Sequence, residues 1–133
     1  MLSKALDDRA IVTKILVIDD AIHIRRLIVR MLQRADVQTV EASDGLEGLK
    51  LLEETQPDIV TCDIAMPQMD GYEFLKTVKE DPRICHIPVI IVTALGEIEE
   101  MISAREMGAD ACITKPFSSS LLLETVQKLL KPH

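Results

Sequence analysis

Short apolar runs alternate along the chain with segments in which apolar residues recur at helical spacing. The runs cover residues 15–18, 37–42, 59–62, 89–92 and 109–113. Three of them, the first, third and fourth, are almost continuously apolar, which is typical of central parallel strands covered by helices on both faces. Each run is therefore predicted to form a β-strand.

Each predicted strand is followed by a predicted helix. The five helices are expected at residues 21–33, 44–54, 71–79, 97–107 and 118–130. In the first, the apolar residues at core spacing are Ile24, Leu27, Ile28, Met31 and Leu32. Because parallel crossovers are nearly always right-handed, five βα units must place helices on both faces of one sheet. The predicted fold class is a single doubly wound α/β domain.

Composition narrows the possible ligands and compartments. The 133 residues are 47% hydrophobic and carry a net charge of −7, without any run of lysine or arginine. Binding to nucleic acid or to an anionic membrane surface is therefore not expected. No segment approaches the roughly 20 apolar residues of a membrane span, so we expect a cytoplasmic protein. The three cysteines, Cys62, Cys85 and Cys112, follow no zinc or disulfide pattern and are interpreted as reduced thiols.

Polar residues follow the predicted strands at the points where the strands end. Asp19 and Asp20 follow the first strand, Asp63 the third, Thr93 the fourth and Lys115 the fifth. Ligand sites in such sheets lie beyond the carboxyl ends of the strands, so these side chains are expected to converge.

Converging carboxylates repel one another unless a cation is present. A site built from oxygen ligands, with no His or Cys, favours a hard divalent ion, and an open cleft suits Mg²⁺ better than Ca²⁺. Beside such an ion, a carboxylate can act as a nucleophile toward a phosphoryl group. Asp63 is the best candidate for that nucleophile, because it stands alone at the end of the central strand. Lys115 and Thr93 would then stabilise the phosphoryl oxygens.

These motifs resemble the receiver domains of two-component response regulators. The match comprises the acidic pair Asp19 and Asp20, the loop "DIAMPQMDG" at residues 63–71, the Thr93-Ala94 step, "GAD" at residues 108–110 and "TKPF" at residues 114–117. Each motif is weak by itself, but all of them in order at these spacings are specific. The resemblance implies a five-stranded parallel sheet of order 2-1-3-4-5.

The resemblance also implies a role for each residue of the site. Asp63 would accept a phosphoryl group from a histidine kinase or a histidine phosphotransfer domain in a phosphorelay. Mg²⁺ would be held by Asp20 and Asp63 directly, by Asp19 through water, and by the backbone carbonyl of Ala65. Lys115, preceding a cis bond to Pro116, would contact the phosphoryl group, and Thr93 would move toward it. Such a domain is not an enzyme beyond its own phosphorylation and dephosphorylation.

Three positions depart from the family pattern. Cys112 stands where an aromatic switch residue is usual, which predicts a weaker or different rearrangement of the face made by the fourth helix, fifth strand and fifth helix. Ala65 and Leu95 are apolar at positions flanking the path of attacking water. Since they would orient that water poorly, we predict a long-lived phosphorylated form.

A partner surface and the domain limits are also expected from the sequence. Ile22 and Val29 on the first helix, with Pro116 and Phe117 across the pocket, would dock the phosphodonor. Residues 1–13 are expected to be an N-terminal extension and residues 14–131 the receiver domain, with no output domain in this chain. The downstream partner would be either a separate protein target or a missing output domain.

Two other functions stay open at this point. A receiver-like scaffold that is never phosphorylated would have lost an acid or the lysine, and none is lost. A phosphatase with an aspartyl nucleophile usually carries a second acid two residues later, where this chain has Ala65.

Overall fold

The computed structural model describes residues 12–94 and 96–130, which form one five-stranded parallel sheet with five helices. The strands are β1 (Lys14–Ile18), β2 (Gln38–Ala42), β3 (Ile59–Asp63), β4 (Val89–Ala94) and β5 (Ala111–Lys115). The helices are α1 (Ile22–Gln33), α2 (Gly45–Thr55), α3 (Gly71–Glu80), α4 (Ile98–Glu106) and α5 (Ser119–Leu130). The spatial order is β2-β1-β3-β4-β5, which confirms the predicted fold class. No helix among the described residues is long and apolar enough to cross a membrane.

The core has two layers because successive side chains of a strand point to opposite faces of the sheet. Leu16 and Ile18 of β1 pack into a cluster with Phe74 of α3. Ile15 and Val17 point the other way, into a cluster built mainly against α1 and α5. The central strands are buried on both faces, as their continuous apolar runs predict.

β5 lies two residues later than its apolar run predicts. Asp110 belongs to the preceding turn, where its carboxylate accepts a hydrogen bond from the Val89 N–H (2.8 Å) and pairs with Lys79 (2.9 Å). The strand continues through Lys115, which pairs in register with Ala94 of β4. This shift makes Lys115 part of the sheet edge.

α1 differs from its predicted burial at two positions. Leu27, expected in the core, is 46% exposed, while Val29, expected on a docking face with Ile22, is buried. Both lie at the border of the apolar stripe, where spacing alone does not determine which residue the sheet covers.

The start of α3 packs directly against the end of β3. A Cβ atom at Gly71 would lie 2.5 Å from the carbonyl oxygen of Asp63, so only glycine allows this approach. The Gly71 N–H donates to the Ile64 carbonyl (2.8 Å), and the Asp70 carboxylate caps the helix by accepting from the Glu73 N–H (2.9 Å). The loop between Asp63 and α3 is thus held at both ends.

Candidate functional site

The structure brings the polar residues that follow the strands to one edge of the sheet. Asp63 is the last residue of β3, and its register partner on β4 is Val92, the residue before Thr93. Lys115 ends β5, and Asp19 directly follows β1. Four neighbouring strands therefore each deliver a polar side chain to the same place.

Three of these residues form an acidic cluster. Ligand oxygens of Asp19, Asp20 and Asp63 lie within 4.8 Å of one another. Asp19 and Asp63 are buried, whereas Asp20 is exposed. Two acids of the cluster are therefore shielded from solvent, and the third is open to it.

Asp19 is held by its backbone as well as its side chain. Its N–H donates to the Ala42 carbonyl (3.1 Å), and its Oδ1 accepts from the Ala21 N–H (2.9 Å). The other carboxylate oxygen, Oδ2, is buried without a hydrogen-bond partner among the described residues and lies 3.6 Å from Lys115 Nζ. A buried anionic oxygen in this condition is costly unless a positive group satisfies it.

Lys115 supplies only part of the required positive charge. Its Nζ lies 3.3 Å from Asp63 Oδ1, within hydrogen-bond distance. Burial raises the pKa of Asp63, the neighbouring Asp19 charge raises it further, and Lys115 opposes both effects without cancelling them. Because the cluster keeps an excess of negative charge, its all-oxygen donors fit a hard divalent cation.

Ala65 and Asp20 line one open groove beside this cluster, of about 410 Å³. Its other lining residues are Ile64, Met66, Pro67, Asp70, Tyr72 and Glu100. Leu95, the second residue expected to flank the water path, lies outside the described residues. Thr93 is buried at the same strand edge.

A second groove, of about 400 Å³, has Lys115 in its lining and is largely apolar. It is lined by Ile24, Leu27, Ile28, Met31, Ala94, Lys115, Pro116 and Phe117. Of the residues expected on the partner surface, Pro116 and Phe117 line it, whereas Ile22 does not, although it is 55% exposed at the start of α1. The Lys115–Pro116 peptide bond is cis. Sequence reasoning placed Leu27 in the core and missed this groove, whereas Met31 lines the groove and also packs against the core as predicted.

Cys112 lies on β5 facing α4. Its half-buried thiol is 3.8 Å from the Met101 carbonyl oxygen, and burial raises its pKa. The position of the usual aromatic switch is therefore occupied here by a small side chain in contact with the α4 backbone.

Arg25 is a further polar residue of the site that sequence reasoning missed. Its guanidinium donates to the backbone carbonyl of Asp19 (2.8 Å) and to Glu41 Oε1 (2.9 Å). Side chains of a helix lean toward its N-terminus, so an arginine in the first turn can reach back to the strand that precedes it. The position of Arg25 in the first turn after the Asp19-Asp20 pair was the signal in the sequence for its contact with the Asp19 carbonyl.

Comparison with known proteins identifies the family. A model of the response regulator receiver domain matches residues 15–127, and the chain belongs to this family. Receiver domains are the signalling domains of two-component systems.

Individual relatives are similar in sequence over most of this chain. The chain is 39% identical to the chemotaxis protein CheY of Listeria monocytogenes over 120 residues, covering 89% of this chain and 98% of CheY. It is 36% identical to the DNA-binding transcriptional regulator RpaA of Synechocystis, covering 89% of this chain and 49% of RpaA. The chain thus spans about half the length of the transcriptional regulators that it matches.

Solved structures agree with this assignment. The receiver domain of a signal transduction histidine kinase from Syntrophus aciditrophicus is 33% identical and superposes with a TM-score of 0.83, over 89% of each chain. Relatives of this fold therefore include a domain of a kinase as well as regulators.

Proposed function

We propose that this chain is a phosphoacceptor of a phosphorelay and that Asp63 receives the phosphoryl group. The observation that carries the proposal is the contact between Asp63 Oδ1 and Lys115 Nζ (3.3 Å) at the edge of the acidic cluster. In that cluster the buried Asp19 Oδ2 has no hydrogen-bond partner among the described residues. Asp63 ends a fully buried strand, which fixes the position of its backbone.

In the transfer step, a carboxylate oxygen of Asp63 attacks the phosphorus of a phosphohistidine. The P–N bond breaks as the O–P bond forms, and the departing imidazole nitrogen keeps the electron pair and takes up a proton. Lys115 offsets negative charge on the phosphoryl oxygens, and the Thr93 hydroxyl is the proposed donor to the product.

Asp20, Asp63 and the carbonyl of Ala65 are proposed to hold Mg²⁺, with Asp19 acting through water. When bound, Mg²⁺ would neutralise charge that develops on the transferring group. The buried Oδ2 of Asp19 and the raised pKa of Asp63 both support a cation at this position.

Intact mass spectrometry after incubation with acetyl phosphate, with and without Mg²⁺, tests the assignment. We expect the wild-type chain to gain one phosphoryl group only with Mg²⁺, and Asp63→Asn to gain none. Asp58→Asn is the matched control, because Asp58 lies just before the opposite end of β3. Phosphorylation of Asp63→Asn, or none of the wild type, would refute the proposal, and the second result would favour the unphosphorylated scaffold.

The apolar groove beside Lys115 is the proposed docking surface for a histidine kinase or phosphotransfer domain. Leu27 and Phe117 line it next to the lysine that contacts the phosphoryl group. We expect Leu27→Glu to slow transfer from any phosphorylated kinase core that serves the wild-type chain. The rate with acetyl phosphate should not change, because that small donor needs no protein surface. Equal slowing with both donors would contradict a docking role.

We further propose that the phosphorylated form of the chain hydrolyses slowly. Ala65 is exposed in the groove beside Asp20 and has no polar group to orient water. We expect Ala65→Asn to shorten the lifetime of phospho-Asp63, measured as loss of the added mass with time. An unchanged lifetime would remove Ala65 from the explanation.

A further inference from the structure

Arg25 joins the metal-binding turn to the neighbouring strand. One guanidinium nitrogen donates to the Asp19 carbonyl (2.8 Å), while Nε donates to Glu41 Oε1 on β2 (2.9 Å). The Arg25 side chain is only 13% exposed, whereas its partner Glu41 is 32% exposed, so both bonds are partly shielded from water. We propose that Arg25 is a positioning residue that sets the orientation of Asp20 toward a divalent cation, an inference that rests on the proposed function.

The bonded carbonyl belongs to the peptide that connects Asp19 to Asp20. A peptide unit is planar, so holding its oxygen fixes the plane from which the Asp20 side chain departs. Asp20 is exposed, in contrast to Asp19, whose carboxylate is held by the Ala21 N–H. The direction of Asp20 therefore depends on the backbone, and Arg25 is the side chain that holds this backbone.

Arg26 provides a natural comparison. Its Nε lies 3.5 Å from the same Glu41 oxygen, but its side chain is 64% exposed. Among the contacts of the described residues, Arg25 reaches the Asp19 carbonyl and Arg26 does not. The two arginines thus share a charge partner and differ in the contact on which the proposal depends.

Positioning and simple electrostatics make opposite predictions for the loss of Arg25. Removing a positive charge near an acidic cluster should strengthen Mg²⁺ binding, since the cation then meets less repulsion. Loss of the carbonyl contact should weaken it, because ligands that are poorly oriented bind metal less well. The sign of the change therefore separates the two effects.

Mg²⁺ titration by isothermal calorimetry on the full chain tests the proposal. We expect Arg25→Gln to raise the dissociation constant about tenfold, the lower end of the loss seen when outer partners of metal ligands are removed. Arg26→Gln should leave it unchanged or slightly lower. Arg25→Lys keeps the charge but lacks the planar fork, and should bind Mg²⁺ more weakly than the wild type.

A merely structural role for Arg25 would change the thermal midpoint of unfolding without changing the dissociation constant. NMR provides a second measurement, in which the Asp20 amide should shift in Arg25→Gln and stay in place in Arg26→Gln. Equal affinities in the two glutamine variants would overturn the inference. Absence of Mg²⁺ binding in the wild type would instead refute the proposed function, so the two failures are distinguishable.

Discussion

α3 and α4 follow neighbouring strands of the same sheet but are anchored very differently. α3 buries Gly71, Phe74, Leu75 and Val78, and its N-terminus is capped by the Asp70 carboxylate. α4 buries only Ala104, has no side-chain cap, and leaves Ile98 and Ile102 65% and 53% exposed. The helix that follows Asp63 and its loop is thus firmly packed, whereas the helix that follows Thr93 is weakly packed.

This difference matches the two tasks of a receiver domain. An acidic cluster that is to bind a cation needs a rigid frame, because misplaced ligands bind more weakly. A helix that responds to phosphorylation must repack for a small free-energy cost, and elements that move are drawn from the least stable parts of a fold. α3 has the packing expected of a rigid element, and α4 has that of a weakly anchored one.

The largest expected difference between the helices concerns their apolar side chains. Phe74→Ala should lower the free energy of unfolding by about 3–5 kcal/mol, since it empties a fully buried site. Ile102→Ala should change it by less than about 0.5 kcal/mol, because Ile102 is largely exposed. Denaturant titration measures both values. Similar losses in the two variants would contradict the comparison.

The glycines at the starts of the two helices, Gly71 within α3 and Gly96 just before α4, should differ next. Gly71→Ala forces a methyl group against the Asp63 carbonyl and should cost about 1–3 kcal/mol, as overpacking does. It should also shift the NMR amide signals of Asp63 and Ile64. Gly96→Ala meets no atom within 4 Å among the described residues that are not its chain neighbours, and should cost about 1 kcal/mol from its positive φ, leaving those signals in place. Shifts in both variants would show that the junctions are not distinct.

Capping should separate the helices by about 1 kcal/mol. Asp70→Ala removes the bond accepted from the Glu73 N–H and should destabilise the protein by about that amount. Glu97 makes no side-chain cap bond at α4, so Glu97→Ala should have almost no effect. Thermal unfolding of both variants gives the comparison, and a loss in Glu97→Ala matching that in Asp70→Ala would argue against it.

A smaller effect is expected at the hydrogen bonds from Tyr72 of α3 to Glu100 of α4, which form a tether between the two helices. The Tyr72 hydroxyl of α3 lies 3.1 Å from the Glu100 carbonyl and 3.4 Å from its carboxylate. Tyr72→Phe keeps the ring and removes about 0.5–1 kcal/mol of hydrogen bonding. Amides of α4 should then exchange about two- to fivefold faster, while those of α3 keep their rates. Faster exchange confined to α3 would reverse the assignment.

The same tether gives the chain a pH dependence at its alkaline limit. Burial and then the Glu100 charge raise the pKa of Tyr72. Because the folded-state pKa exceeds the unfolded one, this stabilising contribution is full below the unfolded pKa and is lost as the pH rises through the folded value. Tyr72 is the only tyrosine and the chain has no tryptophan, so tyrosinate absorbance follows it alone. Glu100→Gln should lower the midpoint pH of this tyrosinate titration. An unchanged midpoint would exclude the Glu100 charge as a cause of the raised pKa of Tyr72.

The pattern of strands and helices could be predicted from the sequence because each element carries its own periodicity. Continuous apolar runs predict the buried strands, and Asp44 and Asp70 stand where α2 and α3 begin. The convergence of the strand-end acids and Lys115 also followed, because parallel strands end at a common edge. β5 is the exception, since the role of Asp110 in its turn depends on Lys79 and Val89, which are distant in sequence.

Other features depend on contacts between segments that are far apart in the chain. Helical spacing placed Leu27 in the core and Val29 on a docking face, and the packing of α1 against the sheet and α5 reversed both. The link from Arg25 to Glu41 crosses from α1 to β2, so no local pattern reveals it. The loose attachment of α4 likewise reflects how little of its surface the sheet covers.

The sequence by itself thus determined the fold class and the set of acids, lysine and threonine at the strand ends, because periodicity and residue chemistry are local properties. Only the tertiary structure decided which carboxylate oxygen has no hydrogen-bond partner among the described residues, which arginine contacts the backbone carbonyl of Asp19, and which helix buries least of its surface. Those outcomes depend on the distances between segments that are far apart in the sequence, and the packing of the fold sets these distances.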